Sequence, residues 1–327
     1  MGINLATGII IGIVLLVFSF YGMDFQSVVD GLKAISPVYL LPIIVIALAV
    51  QSLRSYRWGV LLRPLGTIDQ LTLFSVTSVG FLAIVAFPAR IGELARPYLI
   101  SNRSSIPMAS ALATVVVERI IDTLAILAFF SIVLFSSGLP GWVVKAGGIS
   151  LLVTVSAFLL VFPKASREWV LGLVHRSPDR LRFLRKWADQ FNEGMAICGQ
   201  PGLLVRAGAL SMLIWGLNIV SFYLFFLAFG FDLPLGAAAV LMVIIIIGIA
   251  VPAAPGFIGN WHFACITGLA VFGIPKAPAL SYAIVSHFFG VLTTAVLGLA
   301  FMPSNKIHFA DLASLGRLKG FLKGKPG

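Results

Sequence analysis

Charged residues divide this 327-residue chain into long apolar stretches. No Asp, Glu, Lys or Arg occurs within residues 1–23, 34–53, 70–89, 123–144, 146–163, 207–231, 233–275 or 277–305. Between Arg206 and Lys306 only Asp232 and Lys276 carry charge. A helix needs about 20 apolar residues to cross the hydrocarbon core of a bilayer, so the pattern predicts an all-α polytopic membrane protein.

The charges between the stretches predict its orientation. Residues 163–206 hold Lys164, Arg167, Arg176, Arg180, Arg182, Arg185, Lys186 and Arg206 against Glu168, Asp179, Asp189 and Glu193. The tail holds Lys306, Arg317, Lys319, Lys323 and Lys325 against Asp311. Basic loops remain on the cytoplasmic side, so both segments, the loop with Arg54, Arg57 and Arg63, and both termini are expected there. The charge-poor stretches 21–37, 136–145, 230–236 and 272–279 are expected outside.

A simple count of spans conflicts with that orientation. If residues 70–89 crossed fully, Arg90, Arg96 and Arg103 would lie outside and every later loop would invert, including the basic 163–206 segment. The conflict vanishes if residues 70–105 enter from the cytoplasm, turn at Pro88 to Glu93 and return. Residues 233–275 would likewise enter from outside, break at Pro252 to Gly259 and return. The expected architecture is six full spans near 3–20, 38–54, 111–135, 146–162, 207–229 and 280–302, with two re-entrant hairpins of opposite sense. The alternative is eight full spans. A pair of opposed broken segments has the form of an inverted repeat, although no direct sequence repeat accompanies it.

Composition agrees with this class. Hydrophobic residues make up 59% and charged residues 11%, with a mean hydropathy of +1.04; soluble domains carry about a quarter charged residues. The net charge of +11 is explained by loop Lys and Arg, so nucleic acid is not an expected partner. Residues 1–303 read as a single transmembrane domain and 304–327 as a basic cytoplasmic tail. The first span has neither a basic leader nor an Ala-x-Ala site, and is expected to be retained. Within the insert, Leu181, Leu184, Ala188, Phe191 and Met195 recur at helical spacing between Arg182, Arg185 and Lys186. That pattern predicts an amphipathic helix lying on anionic headgroups. Trp58, Trp142 and Trp261 are expected in interface belts. Cys198 and Cys265 lie in unlike segments and predict no disulfide.

The candidate chemistry sits inside the apolar segments. Glu118, Arg119 and Asp122 fall within one span, where each charge costs at least about 2.5–3.5 kcal/mol and needs partners. Glu118 and Asp122 share a helix face, while Arg119 points about 100° away. Arg90 and Arg96 are the expected partners. In the first turn Arg90 and Glu93 flank Gly92, which permits close approach of backbone or headgroup. In the second turn Pro255, Gly256 and Gly259 break the longest apolar run and Asn260, Trp261 and His262 follow. His262 is a candidate proton carrier, with His287 placed to face it. Arg54 and Arg57 are either headgroup contacts or a simple helix-end anchor. Nucleophile-elbow, Walker, HExxH and CxxC signatures are missing, so soluble-type catalysis is not expected, and neither cofactor nor metal is predicted.

Four motifs occur in order: Arg54-x-x-Arg57-Trp58 with Leu61-Leu62, Pro88-x-Arg90-x-Gly92-Glu93-x-x-Arg96, Glu118-Arg119-x-x-Asp122, and Pro255-Gly256-x-x-Gly259. Together they resemble the flippase-like membrane family, that of the transmembrane region of lysylphosphatidylglycerol synthase/flippase. The resemblance implies a bundle that moves a polar-headed lipid between leaflets. It makes Arg90, Glu93, Arg96, Glu118, Arg119 and Asp122 the expected pathway residues. In two respects the chain departs from the family. A glutamate usually stands where this chain has His262, and the soluble aminoacyltransferase domain of the full synthases is missing. The alternatives are an intramembrane lipid-modifying enzyme and a non-transporting partner of an envelope-assembly system. Membrane lipid, anionic headgroups and a second copy are the expected partners, in a bacterial or archaeal-type cytoplasmic membrane.

Overall fold

A computed structural model describes residues 2–87, 92–134, 141–161, 163–176, 182–250 and 254–307. Every regular element among them is helical. The helices are α1 (Gly2–Phe20), α2 (Phe25–Lys33), α3 (Leu40–Leu62), α4 (Gln70–Ala86), α5 (Ala95–Ser101), α6 (Met108–Leu134), α7 (Gly141–Val161), α8 (Lys164–His175), α9 (Arg182–Gly194), α10 (Pro201–Ala228), α11 (Leu235–Ala250), α12 (Asn260–Ala270) and α13 (Lys276–Phe301). Pro88, Arg90, Pro252, Asp179, Leu181, residues 136–140 of the 136–145 stretch and the tail beyond residue 307 lie outside the described residues.

Four of the expected spans are long and apolar enough to cross a membrane: Pro37–Leu62, Gly141–Leu159, Pro201–Ala228 and Lys276–Phe301. A fifth candidate pairs α1 with α2, which meet at an 86° bend. α6, with 27 residues, is roughly 40 Å long, but Glu118, Arg119 and Asp122 interrupt its apolar run. Several helices continue beyond the bounds that charge predicted. α3 continues through Arg54 and Arg57 to Leu62, so these arginines belong to a helix interior and not to its end. The expected external stretch 21–37 contains α2, whose Val28 carbonyl accepts from Ser281 Oγ of α13 at 3.0 Å.

Both broken segments fold back on themselves. A Cβ on Gly92 would lie 2.2 Å from the backbone of Ala83 and Ile84, and one on Gly80 would lie 2.2 Å from the Arg96 side chain. α4 and α5 therefore form an antiparallel hairpin. In the second hairpin Gly248 abuts Ala264, Gly268 abuts Leu241 and Ile244, and Asn260 Nδ2 donates to the Gly248 carbonyl at 3.0 Å. Its tip is seated on α1: Gly259, at φ +87°, would drive a Cβ to 2.0 Å from the Gly12 carbonyl oxygen. Without a side chain both tips reach neighbouring backbone.

The packing pairs two halves. α3 touches α4, α5 touches α6, and α4 lies along α13; equivalently, α10 touches α11, α12 touches α13, and α11 lies along α6. α3 and α10 pack together across the middle. They run antiparallel, since Ser36 N donates to Ala228 O at 2.9 Å while Arg57 Nη1 donates to Ser211 Oγ at 2.6 Å near the opposite end. α3–α6 and α10–α13 are thus inverted counterparts, although no sequence repeat marks them. The core divides likewise. One apolar cluster centres on α11, α12, Phe226 and Tyr282, and the other on Trp58, α4, α5 and the start of α6.

The amphipathic insert rests partly on the bundle. α9 packs on α6 and α8, with Ser110 Oγ donating to Gln190 O at 2.7 Å and Met195 and Ile197 fully buried. Along α9 itself Ala188 and Phe191 are half-buried, while Phe183 and Leu184 are exposed. Replacing Gly92 by alanine is expected to cost about 1–3 kcal/mol through overpacking against backbone. Gly148, with open space around it, should tolerate the same change. Thermal unfolding of the detergent-solubilised variants followed by size-exclusion chromatography measures the difference.

Candidate functional site

Glu118 and Asp122 stand one turn apart on α6 and are both buried. Arg96 from the first hairpin holds Glu118 in a fork, Nη1 to Oε1 at 2.8 Å and Nη2 to Oε2 at 2.9 Å. Arg57 from α3 reaches both acids: Nη1 pairs with Asp122 Oδ1, Nη2 lies 3.1 Å from Asp122 Oδ2 and 3.3 Å from Glu118 Oε1. Trp215 Nε1 of α10 donates to Asp122 Oδ1 at 2.9 Å. Two-pronged pairs of this kind are the strong form of the charged hydrogen bond.

Arg96 is the partner that the sequence suggested. Arg57 is the partner that it missed: only 1% exposed, it is neither a headgroup contact nor a helix-end anchor here. The signal was its spacing, three residues past Arg54 on a helix that continues beyond both. Arg119 neutralises part of the cluster from its own helix. Its long side chain turns back to pair with Glu118 and comes within 3.6 Å of Asp122 Oδ2, despite the 100° offset of its Cα. Trp58 is fully buried and not in an interface belt; its Nε1 donates to Thr114 Oγ1 at 3.1 Å and its ring lies 4.3 Å beneath the Arg96 guanidinium. Trp142 is exposed, as a belt residue would be.

Beside this network lies a cavity of about 300 Å³, walled by Glu93 and Arg119 from the first half and by Trp261 and His287 from the second. A second space of about 160 Å³, lined by Gln51, Ser78, Asn218 and Ser286, shares Arg54, Phe81 and Trp261 with it. Glu93 is among the charges acting on Arg119. Arg54 projects into both spaces with its guanidinium 4.9 Å from the centre of the Phe81 ring.

The second turn contributes less polar surface than its sequence suggests. Asn260 and His262 are buried, with Asn260 Oδ1 and His262 Nδ1 unpartnered. The His262 and His287 rings meet edge to face at 5.0 Å, the facing expected of them. His287 also stacks on Trp261 and bonds the Gly256 carbonyl at 2.7 Å. His287 and Trp261 line the cavity; His262, Asn260, Gly256 and Gly259 do not, and Gly92 packs against α4. Phe257, within two residues of Pro255, does reach the wall. Arg90 lies outside the described residues. Among the described residues, three metal-ligating side chains nowhere come together, and both cysteines are free.

The model of the lysylphosphatidylglycerol synthase transmembrane region matches residues 5–298. The chain belongs to that family. A UPF0104 membrane protein of Methanothermobacter thermautotrophicus is 28% identical over 90% of this chain and 94% of its own length. A UPF0104 membrane protein of Methanocaldococcus jannaschii is 20% identical over 87% of this chain and 89% of its own. Glycosyltransferase AglD of Haloferax volcanii is 24% identical over 92% of this chain but only 54% of its own length. The chain therefore corresponds to about half of AglD. No solved structure matches it.

Within this family member, removing one partner of the network should leave an uncompensated buried charge at a cost of about 3–5 kcal/mol. Arg57→Ala is therefore expected to unfold well below the parent. Arg57→Ala combined with Asp122→Ala should recover part of that loss, because their effects are coupled by about 0.5–3 kcal/mol. A double-mutant cycle in thermal stability measures both.

Proposed function

We propose that this chain is a flippase-like lipid transporter that moves a polar-headed lipid between leaflets. The headgroup passes through the cavity between the two hairpins while the acyl chains stay in lipid. The observation that carries this reading is the meeting of charged and aromatic side chains from both inverted halves around one space, among helices long and apolar enough to cross a membrane. Ionisable residues there are costly and mark substrate paths, and transporters place their sites at the junction of inverted repeats. Non-helical backbone at such depth must face protein or a watery cavity, which the glycine-seated tips do. In this reading the hairpins are re-entrant, Glu93 and Arg119 contact the headgroup, and changes in pairing among Glu118, Asp122 and the arginines accompany its passage.

Reconstitution into liposomes with fluorescent phospholipids tests it. The parent should raise transbilayer exchange, and Glu93→Gln or Arg119→Gln should lower the rate about tenfold or more. An unchanged lipid distribution with correctly folded protein would refute the reading. The glycosyltransferase name of the AglD relative favours a second reading, a role in lipid modification. It requires a new lipid species on thin-layer analysis, whereas transport alters only sidedness.

The proposed orientation places both termini in the cytoplasm. With Cys198 and Cys265 replaced, a cysteine at Ser27 should react with an impermeant maleimide from outside intact cells. One at Ser166 should react only after permeabilisation.

A further inference from the structure

Four arginines stand around the polar interior, and three of them have carboxylate partners: Arg57, Arg96 and Arg119 share Glu118 and Asp122. Arg54 has no such partner among the described residues; the contact it makes is with the Phe81 ring. Among the described residues Glu93, Glu118 and Asp122 stand against Arg54, Arg57, Arg96 and Arg119, an excess of one positive charge. That charge faces the cavity. Arg54 lies eight residues before the end of α3, roughly 12 Å into the helix. A cation at membrane depth costs about 2.5–3.5 kcal/mol, and its position over one aromatic ring offsets only about 0.5–2 kcal/mol of that. The side chains beside it in the smaller space, Gln51, Ser78, Asn218, Ser221 and Thr294, are neutral hydrogen-bonding groups, and the carboxylates that act on it from farther off, Asp122 and Glu118, are already paired with the other three arginines.

We propose that Arg54 is the anion-binding residue of the cavity, and that its ligand is the phosphate of a lipid whose headgroup carries no ammonium group. An arginine fork matches phosphate geometry, and the neutral side chains beside it suit hydroxyl groups next to the phosphate. A basic headgroup would meet a wall with Arg54 and Arg119 on it. Its one carboxylate among the described residues, Glu93, already acts on Arg119. The inference rests on the transport reading for the site but not for the movement.

The full chain in detergent micelles is titrated with phosphatidylglycerol, lysyl-phosphatidylglycerol or phosphatidylcholine, and bound lipid is read by native mass spectrometry. Phosphatidylglycerol should bind about tenfold or more tighter than the other two, which carry the same phosphate but also an ammonium group that would lie against the like charges of Arg54 and Arg119. Arg54→Gln should abolish that preference, Arg54→Lys should retain part of it, and Arg63→Gln should leave it unchanged. Without added lipid, Arg54→Gln should unfold at the same temperature as the parent or higher, since it removes an uncompensated cation; a purely structural arginine would lower it. Equal or tighter binding of lysyl-phosphatidylglycerol or phosphatidylcholine, or a preference that survives Arg54→Gln, overturns the proposal. Selective binding without lipid movement in liposomes would defeat the transport reading and leave this one standing. Movement without the preference would do the reverse.

Discussion

Two carboxylates buried on one face of α6 organise the first half of this protein. Glu118 and Asp122 would be prohibitively costly alone in a low-dielectric interior, and their compensation draws in Arg57 from α3, Arg96 from α5 and Arg119 from α6 itself. Ser211 and Trp215 bring α10 to the same cluster. The helices that supply these groups cannot slide without unpairing a charge, so the network sets their registry. Trp58, wedged beneath Arg96 and bonded to Thr114, closes the network on its far side.

The two hairpins share a construction but differ in chemistry. Each has a glycine at its tip whose missing side chain admits backbone, that of α4 at Gly92 and that of α1 at Gly259. The first half brings arginines and acids to the middle, and the second brings His287, Trp261 and apolar surface. The cavity between them is consequently lopsided, with charge along one wall and aromatic rings along the other. An inverted repeat with unlike halves supplies a site that neither half could build alone. This asymmetry is what the proposed headgroup path and the unpaired Arg54 both depend on.

Much of this was legible in the chain. Apolar run lengths marked four long helices and a bent fifth, and the breaks at Pro88–Glu93 and Pro252–Gly259 marked the two places where the chain folds back on itself. The acids of α6 announced that partners must exist. The partners themselves were only half legible. Arg96 followed from its proximity in the motif, whereas Arg57 looked like a helix-end residue because an apolar count stops at the first charge. Trp58 was misread for the same reason: a tryptophan beside arginines suggests an interface until the helix is seen to continue past it.

Composition and periodicity by themselves determined the class and the helical content, since both follow from the local rule that backbone polar groups must be satisfied within lipid. Which arginine pairs with which acid, which one is left over, and whether His262 or His287 lines the cavity were decided only by tertiary packing. Those are questions of distance between helices far apart in the chain. A side chain as long as arginine's can turn toward any of several neighbours, so the residue types define a set of possible pairs and the three-dimensional arrangement selects among them.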